Sequence, residues 1–246
     1  KTFTLQYPNF LFPGKSQFTN LEYVGDIKIT RELNSINPFN WVKVGNKIRD
    51  ERPDILILKY WIPFMAPCFG TISRIVRKNN HTKVIVVVDN IIPHEKRIGD
   101  KLLSKFFVKS VDGFVCMSKQ VFYDLEILDS SAKKINSYHP IYDNFGKSIT
   151  KQQSITNLKL NADYKHILFF GIIRKYKGLD LLIKAFSRLK QEKIRLIIAG
   201  EFYDNQDYYL DLIESLELEN SIILKNEFIP DDMVVNYFCS CDIIAQ

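Results

Sequence analysis

The run Phe170-Gly171-Ile-Ile-Arg174-Lys175-Tyr-Lys177-Gly178 sets three cations between two glycines. That combination suits a phosphate-bearing ligand. Glycine lets the backbone approach an anion closely, and lysine and arginine neutralise it. The flanks fit the same chemistry. Ile167–Phe170 is an apolar run of strand length, and Leu179–Leu189 has helical apolar spacing. A helix starting at Gly178 offers unbonded N–H groups and the positive end of its dipole. The plainer alternative is a tight strand-to-helix turn with solvated lysines. Gly200-Glu201 ends the next apolar run, Arg195–Ala199, and would lie beside the loop. A turn glycine would account for Gly200 equally well.

The elements that position these residues read as alternating strands and helices. In the first half, strands are predicted at Thr2–Gln6, Asp54–Tyr60, Lys83–Val88, Gly113–Met117 and Ala132–Tyr138. Helices are predicted at Phe39–Glu51, Pro67–Lys78, within Pro93–Val108, and after Ser118, which is placed as a cap. The β-branched run Lys83–Val88 reads as a central parallel strand. The second half repeats the alternation, with strands Ile167–Phe170, Arg195–Ala199, Ile222–Leu224 and Ile243–Ile244. Its helices are Leu179–Leu189, Tyr208–Leu216 and Asp231–Phe238. The class is therefore α/β, with parallel sheets covered by helices.

The domains expected are 1–145, a linker at 146–163 where no period holds, and 164–246. In open parallel sheets, ligands bind beyond the carboxyl ends of the strands. That rule selects Asp89-Asn90, Ser118, Gly171–Lys177, Gly200-Glu201 and Glu227–Pro230. These loops come from both halves, so a cleft between two domains is the expected site.

Composition excludes several classes. Apolar residues make up 46% and charged residues 25% of the 246, an ordinary globular balance. No apolar run has membrane-spanning length. The four cysteines lack zinc-finger spacing and read as buried thiols, which points to the cytoplasm. A net charge of +6 favours an anionic partner. Asp231-Asp232 reads as a helix cap rather than a metal site. The sequence opens on a strand at Thr2 and stops after another at Ala245, so both ends are expected to be missing.

In series, the motifs resemble glycosyltransferase family 4, also called glycosyl transferase group 1. Phe170–Phe186 resembles the family's donor-site signature, and Leu196–Glu201 the strand placed next. Val88-Asp-Asn90-Ile-Ile-Pro93-His94-Glu95 looks like the acceptor-side loop, and Asp112–Ser118 like a later strand with its serine-capped helix. The resemblance implies a GT-B fold, two Rossmann-like doubly wound domains facing across a cleft, the second incomplete. It implies transfer of a sugar from a nucleotide-diphosphate sugar to a glycan or lipid-linked acceptor. Retention at the anomeric carbon is implied too, with no cofactor and no metal.

On that reading Gly171, Arg174 and Lys177 hold the donor pyrophosphate. Gly200, Glu201, Glu227, Phe228 and Ile229 meet the nucleotide, and Asn90 and Ser118 lie on the acceptor side. The catalytic candidates are Asp89 and His94. Two departures from the family stand out. Ile172 occupies the usual arginine position, with Arg174 two residues on, and Asp89 stands where many members have histidine. The family's paired-glutamate motif would lie after Ala245.

The rival readings are a nucleotide-sugar epimerase of the same fold and a non-catalytic two-domain binder. Lys101, Lys105 and Lys109 recur every four residues around Leu102, Leu103, Phe106 and Phe107. They mark either a peripheral contact with an anionic membrane or a core-packed helix with a solvated lysine stripe. The aromatics in Tyr7–Phe12 and Tyr60–Phe64 would stack on an acceptor sugar or pack locally. No nucleic-acid partner is expected.

Overall fold

The structure is a computed structural model and describes residues 1–8, 26–93, 97–189 and 192–245. The chain divides into two compact units between Pro140 and Ile141.

In the first unit, β1 (Thr2–Leu5) and β2 (Arg31–Asn34) form a two-stranded parallel sheet. A second sheet is parallel throughout, in the order β3 (Ile55–Tyr60), β4 (Lys83–Val88), β5 (Gly113–Cys116), β6 (Lys134–Asn136). Helices α1 (Pro38–Glu51), α2 (Ala66–Arg77), α3 (Asp100–Val108) and α4 (Lys119–Leu128) connect these strands. Local chemistry sets their starts. Asn37 caps α1 by accepting from the Phe39 and Asn40 N–H groups at 3.0 and 3.2 Å, and Pro38 takes the first turn. Ser118 caps α4 by accepting from Val121 N–H.

One face of β4 (Val84, Val86 and Val88) is fully buried against the inner faces of these helices. Tyr60 joins that core, stacked on Phe107 with ring centroids 4.2 Å apart. The aromatics at the end of β3 therefore pack locally. Trp61 donates to the Tyr7 hydroxyl, and Phe64 stacks on Tyr7. The rest of the Tyr7–Phe12 stretch, residues 9–12, lies outside the described residues. β2 was not predicted, because Arg-Glu-Leu-Asn has a single buried apolar residue, Leu33.

The second unit has one parallel sheet in the order β10 (Ile243–Ala245), β7 (Lys165–Phe170), β8 (Ile194–Ala199), β9 (Ile222–Lys225). Its helices are α5 (Lys151–Asn157), α6 (Leu179–Phe186), α7 (Gln206–Ser215) and α8 (Asp231–Ser240). α5 falls inside the stretch 146–163 expected as linker. Seven residues are too few to show a period, but Thr150 and Gln153 form a capping box, and Ser154 and Ile155 are buried. Asn157 ties α5 to α8 through Asn236 at 2.8 Å. Asp231 and Asp232 sit in the first turn of α8, and Pro230 takes the cap position expected for them. Their carboxylates there complement the helix dipole without capping.

His166 in β7 is fully buried, and neither ring nitrogen has a hydrogen-bond partner among the described residues. Burial pushes its pKa below the ordinary 6.5, and the charges of Lys151 and Arg195 act the same way against Asp242. Burial alone would raise the Asp242 carboxyl, but its bonds from Lys151 and from the His166 backbone N–H hold it low.

A histidine held neutral by the fold costs stability in acid. Below pH about 6.5 the unfolded chain binds a proton that the folded chain declines. Urea unfolding should therefore show stability intact above that pH and falling as pH drops from 7.5 to 5.5, by about 1 kcal/mol. The Asp242 contribution is lost only at more acidic pH. A His166→Leu variant should flatten the dependence between pH 5.5 and 7.5, and an unchanged slope would remove His166 as its source.

Candidate functional site

The strand order of the second unit reverses at β7. From β7 the chain steps to β8 and β9 on one side, and β10 returns on the other. The carboxyl end of β7 is thus the switch point where open α/β sheets bind ligands. Gly171 follows it directly, with φ +108°, in the left-handed region that glycine tolerates.

Gly200, at the carboxyl end of β8, fits closely against it. A Cβ built on Gly200 would lie 2.1 Å from the Gly171 carbonyl oxygen. Hydrogen bonds carry the ladder past the strands: Gly171 N–H to Ala199 O at 2.9 Å and Ile173 N–H to Glu201 O at 2.9 Å. Tyr203 N–H then returns to Ile173 O at 3.0 Å. Ile173 is fully buried and pins the loop to the core.

The cations sit on this floor. A short 3-10 turn, Lys175–Lys177, leads to Gly178, whose φ of +71° opens α6. The turn folds Lys177 back, so its Nζ stands 3.6 Å from where a Gly171 Cβ would be. Burial lowers the Lys177 pKa from its ordinary 10.5, and the Arg174 charge lowers it further. No carboxylate lies within salt-bridge distance of Lys177 among the described residues. Arg174 lies over the Tyr203 ring at 5.4 Å. Lys175 is exposed, and its backbone N–H donates to Asp204. Gly171, Arg174, Lys177 and Gly200 thus come together in one place, with the first turn of α6 beside them. The arrangement can hold a multiply charged anion on backbone and cations.

The remaining candidates divide. Glu201 is half-buried near Tyr203, whose pKa is raised by burial and by the Glu201 charge against that of Arg174. Glu227 and Phe228 are exposed at the carboxyl edge of β9, with Phe228 at 67%. Ile229 spends its side chain in the core with Leu168, Ile197 and Val234, which leaves only its backbone for a ligand. Three contributors escaped the sequence reading: Tyr203, Asp204 and Asn226. Asn226 accepts from Phe202 N–H at 3.3 Å and donates to Gln206, which fixes the Gly200 turn. Their signal was position, since all three follow strands at the same edge.

In the first unit, Asp89 follows β4 and accepts from Lys59 of β3 at 2.6 Å. Asn90 and Ser118 are half-buried at the same edge. The Ser118 oxygen is engaged as the α4 cap. His94 lies outside the described residues. Lys101 and Lys105 are exposed on α3, next to Leu102 at 73% exposure, while Lys109 is the residue that ends the helix. Ser104, Phe107 and Val108 bury the opposite side. Among the described residues no helix is long and apolar enough to cross a membrane. A cavity of about 470 Å³ opens near the amino ends of β4 and β5, lined by Arg77, Lys83 and Asp112 among others. That is the wrong edge for a ligand of such sheets.

Residues 150–246 match the sequence model of the family Glycosyl transferases group 1. No curated protein matches by sequence. Among solved structures, the chain is similar to sucrose-phosphate synthase from Thermosynechococcus elongatus, at 12% identity and TM-score 0.67, over 83% of this chain and 53% of that one. It is similar to Anabaena Alr3699/HepE, solved in complex with UDP-glucose, at 16% identity and TM-score 0.68, over 83% and 55%. A glycosyltransferase from Rickettsia africae ESF-5 matches at 21% identity and TM-score 0.62, over 88% and 58%. The chain thus spans about half the length of these structures, and the likeness places it in the GT-B fold.

The Gly171–Gly200 contact yields a sharp expectation. Gly200→Ala should destabilise the second unit by about 2–4 kcal/mol, through a clash with backbone and an unfavourable φ. Gly113→Ala, where the nearest atom to a new Cβ is 3.5 Å away, should change stability by less than about 1 kcal/mol. Equal effects in chemical denaturation would show that the contact does not constrain the loop.

Proposed function

We propose that the protein transfers a sugar from a nucleotide-diphosphate sugar to a glycan or lipid-linked acceptor, a reading supported by the match of residues 150–246 to the model of glycosyl transferases group 1. One observation carries this reading: a half-buried lysine without a carboxylate partner among the described residues, poised over a glycine at the sheet's switch point. In this reading Lys177 and Arg174 take the diphosphate oxygens, and Gly171 lets them come close. As the bond to the sugar breaks, negative charge grows on the departing diphosphate. Cations fixed in advance stabilise that charge without reorganising. Arginine adds a planar fork that meets two oxygens at once.

Gly200 and Glu201 border the nucleotide, and Glu227 and Phe228 lie at its far edge. On the acceptor side we assign Asp89, oriented by Lys59, together with Asn90. The transfer proceeds with retention and without a resident metal or cofactor, because the charge a metal would neutralise is met by the two side chains. The protein works in the cytoplasm. Support for a UDP-type donor comes from the Anabaena relative, solved with UDP-glucose.

Two measurements test the reading. Calorimetry with a nucleoside diphosphate should find binding that Lys177→Ala weakens by about 1.5–3 kcal/mol, the worth of a hydrogen bond to a charged group. Unchanged affinity would remove Lys177 from the site. The complete gene product, incubated with nucleotide sugars, should release nucleoside diphosphate and form a new glycoside only when acceptor is present. Release of an epimer without acceptor, or binding with no turnover at all, would overturn the assignment.

A further inference from the structure

The two residues that follow Phe202 grip the loop around Arg174. The Tyr203 N–H donates to the Ile173 carbonyl at 3.0 Å, one residue before Arg174. The Asp204 carboxylate accepts from the Lys175 N–H, one residue after it. The Tyr203 ring lies under the guanidinium itself, whose central carbon is 5.4 Å from the ring centroid.

Strand-like alternation explains why these side chains meet. Ile173 and Phe202 pair in a parallel bridge, and both pack into the core beneath. Arg174 is extended, with φ −136° and ψ 150°. The residues next to the bridge therefore turn the other way, which puts Arg174 and Tyr203 together on the face away from that core. Glu201 shares this face. Burial is the main reason the Tyr203 pKa is raised, Glu201 adds to the rise and Arg174 opposes it.

A guanidinium over a ring is held by its face, whereas phosphate oxygens bind its edge, so the two contacts are compatible. A loose arginine loses rotamer freedom on meeting a ligand, and that loss opposes binding. A ring already beneath the cation takes up part of the loss beforehand. The backbone bonds at Ile173 and Lys175 fix where the side chain starts. Lys177 has a different mooring, since it comes from the far end of the 3-10 turn and folds back over Gly171. Loss of the Tyr203 ring would therefore loosen one cation and leave the other in place.

Taking Arg174 and Lys177 as the cations that meet the donor diphosphate, we propose that Tyr203 is the positioning residue for Arg174. Its ring holds the guanidinium with the N–H edge toward the diphosphate, and Asp204 fixes the backbone on which that side chain stands. Tyr203 acts through Arg174 and touches no reacting atom.

Calorimetry on the complete gene product tests this, using whichever of uridine, guanosine, adenosine and thymidine diphosphate binds most tightly. Tyr203→Leu should weaken binding about 5- to 20-fold, and Tyr203→Phe, which keeps the ring, by less than about 2-fold. In an Arg174→Ala background, Tyr203→Leu should cost less than about 2-fold more, because the ring has nothing left to position. Fluorinated phenylalanines at this position keep the shape and drain the ring's negative face. Affinity should then fall stepwise, by about 5-fold or more from phenylalanine to its trifluoro form. Should the Tyr203→Leu chain not fold, the fluorinated series decides. The proposal is overturned by Tyr203→Leu binding as tightly as the parent, by an equal loss in the Arg174→Ala background, as a merely structural residue would give, or by affinity indifferent to fluorination. Where Lys177→Ala still weakens binding in those cases, the donor-site reading stands and only the role of Tyr203 falls. If no diphosphate binds, or Lys177→Ala leaves affinity unchanged, that reading falls and the role of Tyr203 falls with it.

Discussion

The contact between Gly200 and the Gly171 carbonyl sets the geometry of the second unit's ligand edge. Neighbouring parallel strands normally splay into separate loops once their ladder ends. Here the ladder continues through Gly171 N–H to Ala199 O, Ile173 N–H to Glu201 O and Tyr203 N–H to Ile173 O. Two glycines at positive φ let the backbones come close enough for this. Ile173 then sinks into the core and fixes where the chain can go next. The result is a floor made of main chain, on which the following turn delivers Lys177.

That floor explains the electrostatics. Two cations held together in a half-buried place repel each other, and each loses water. The lowered pKa of Lys177 records both effects, burial first and Arg174 second. The nearby carboxylates do other work. Asp204 takes the Lys175 backbone N–H, and Asp180 lies 3.8 Å from Lys184. Among the described residues no carboxylate offsets Lys177, so its burial is a cost to the folded protein.

How much of this could be read from the residues depended on where each signal lives. The β-branched run Lys83–Val88 and the apolar spacing of Leu179–Leu189 announce buried elements because burial is periodic in sequence. Gly171, Lys177 and Gly178 were readable because glycine and cation spacing is local. The close fit of Gly200 on Gly171 was not, since it arises between strands. Asp204 and Asn226 were silent because they act through backbone bonds to partners 29 and 24 residues away. β2 and α5 were missed for a different reason, since four polar-rich residues and a seven-residue helix carry too little period to detect. The core place of the Ile229 side chain was not legible, because a core position and a ligand-facing position look alike in an apolar run.

The two units differ in how they close. In the second, β10 returns beside β7, so the strand that carries the ligand loop is flanked on both sides and its exit is stiff. In the first, the strand that carries Lys59 has a neighbour on one side only among the described residues. Asp89 is held there by a partly exposed ion pair at 2.6 Å, a weaker restraint than a backbone ladder. A phosphate cradle built from main chain recognises charge and shape, which are common to every nucleoside diphosphate. On the proposed function, discrimination among sugars and bases falls to side chains at the rim, such as Glu227 and Phe228. On that reading the class of ligand is written in glycines and cations near one strand end, whereas its identity is spread over exposed positions with no spacing rule of their own.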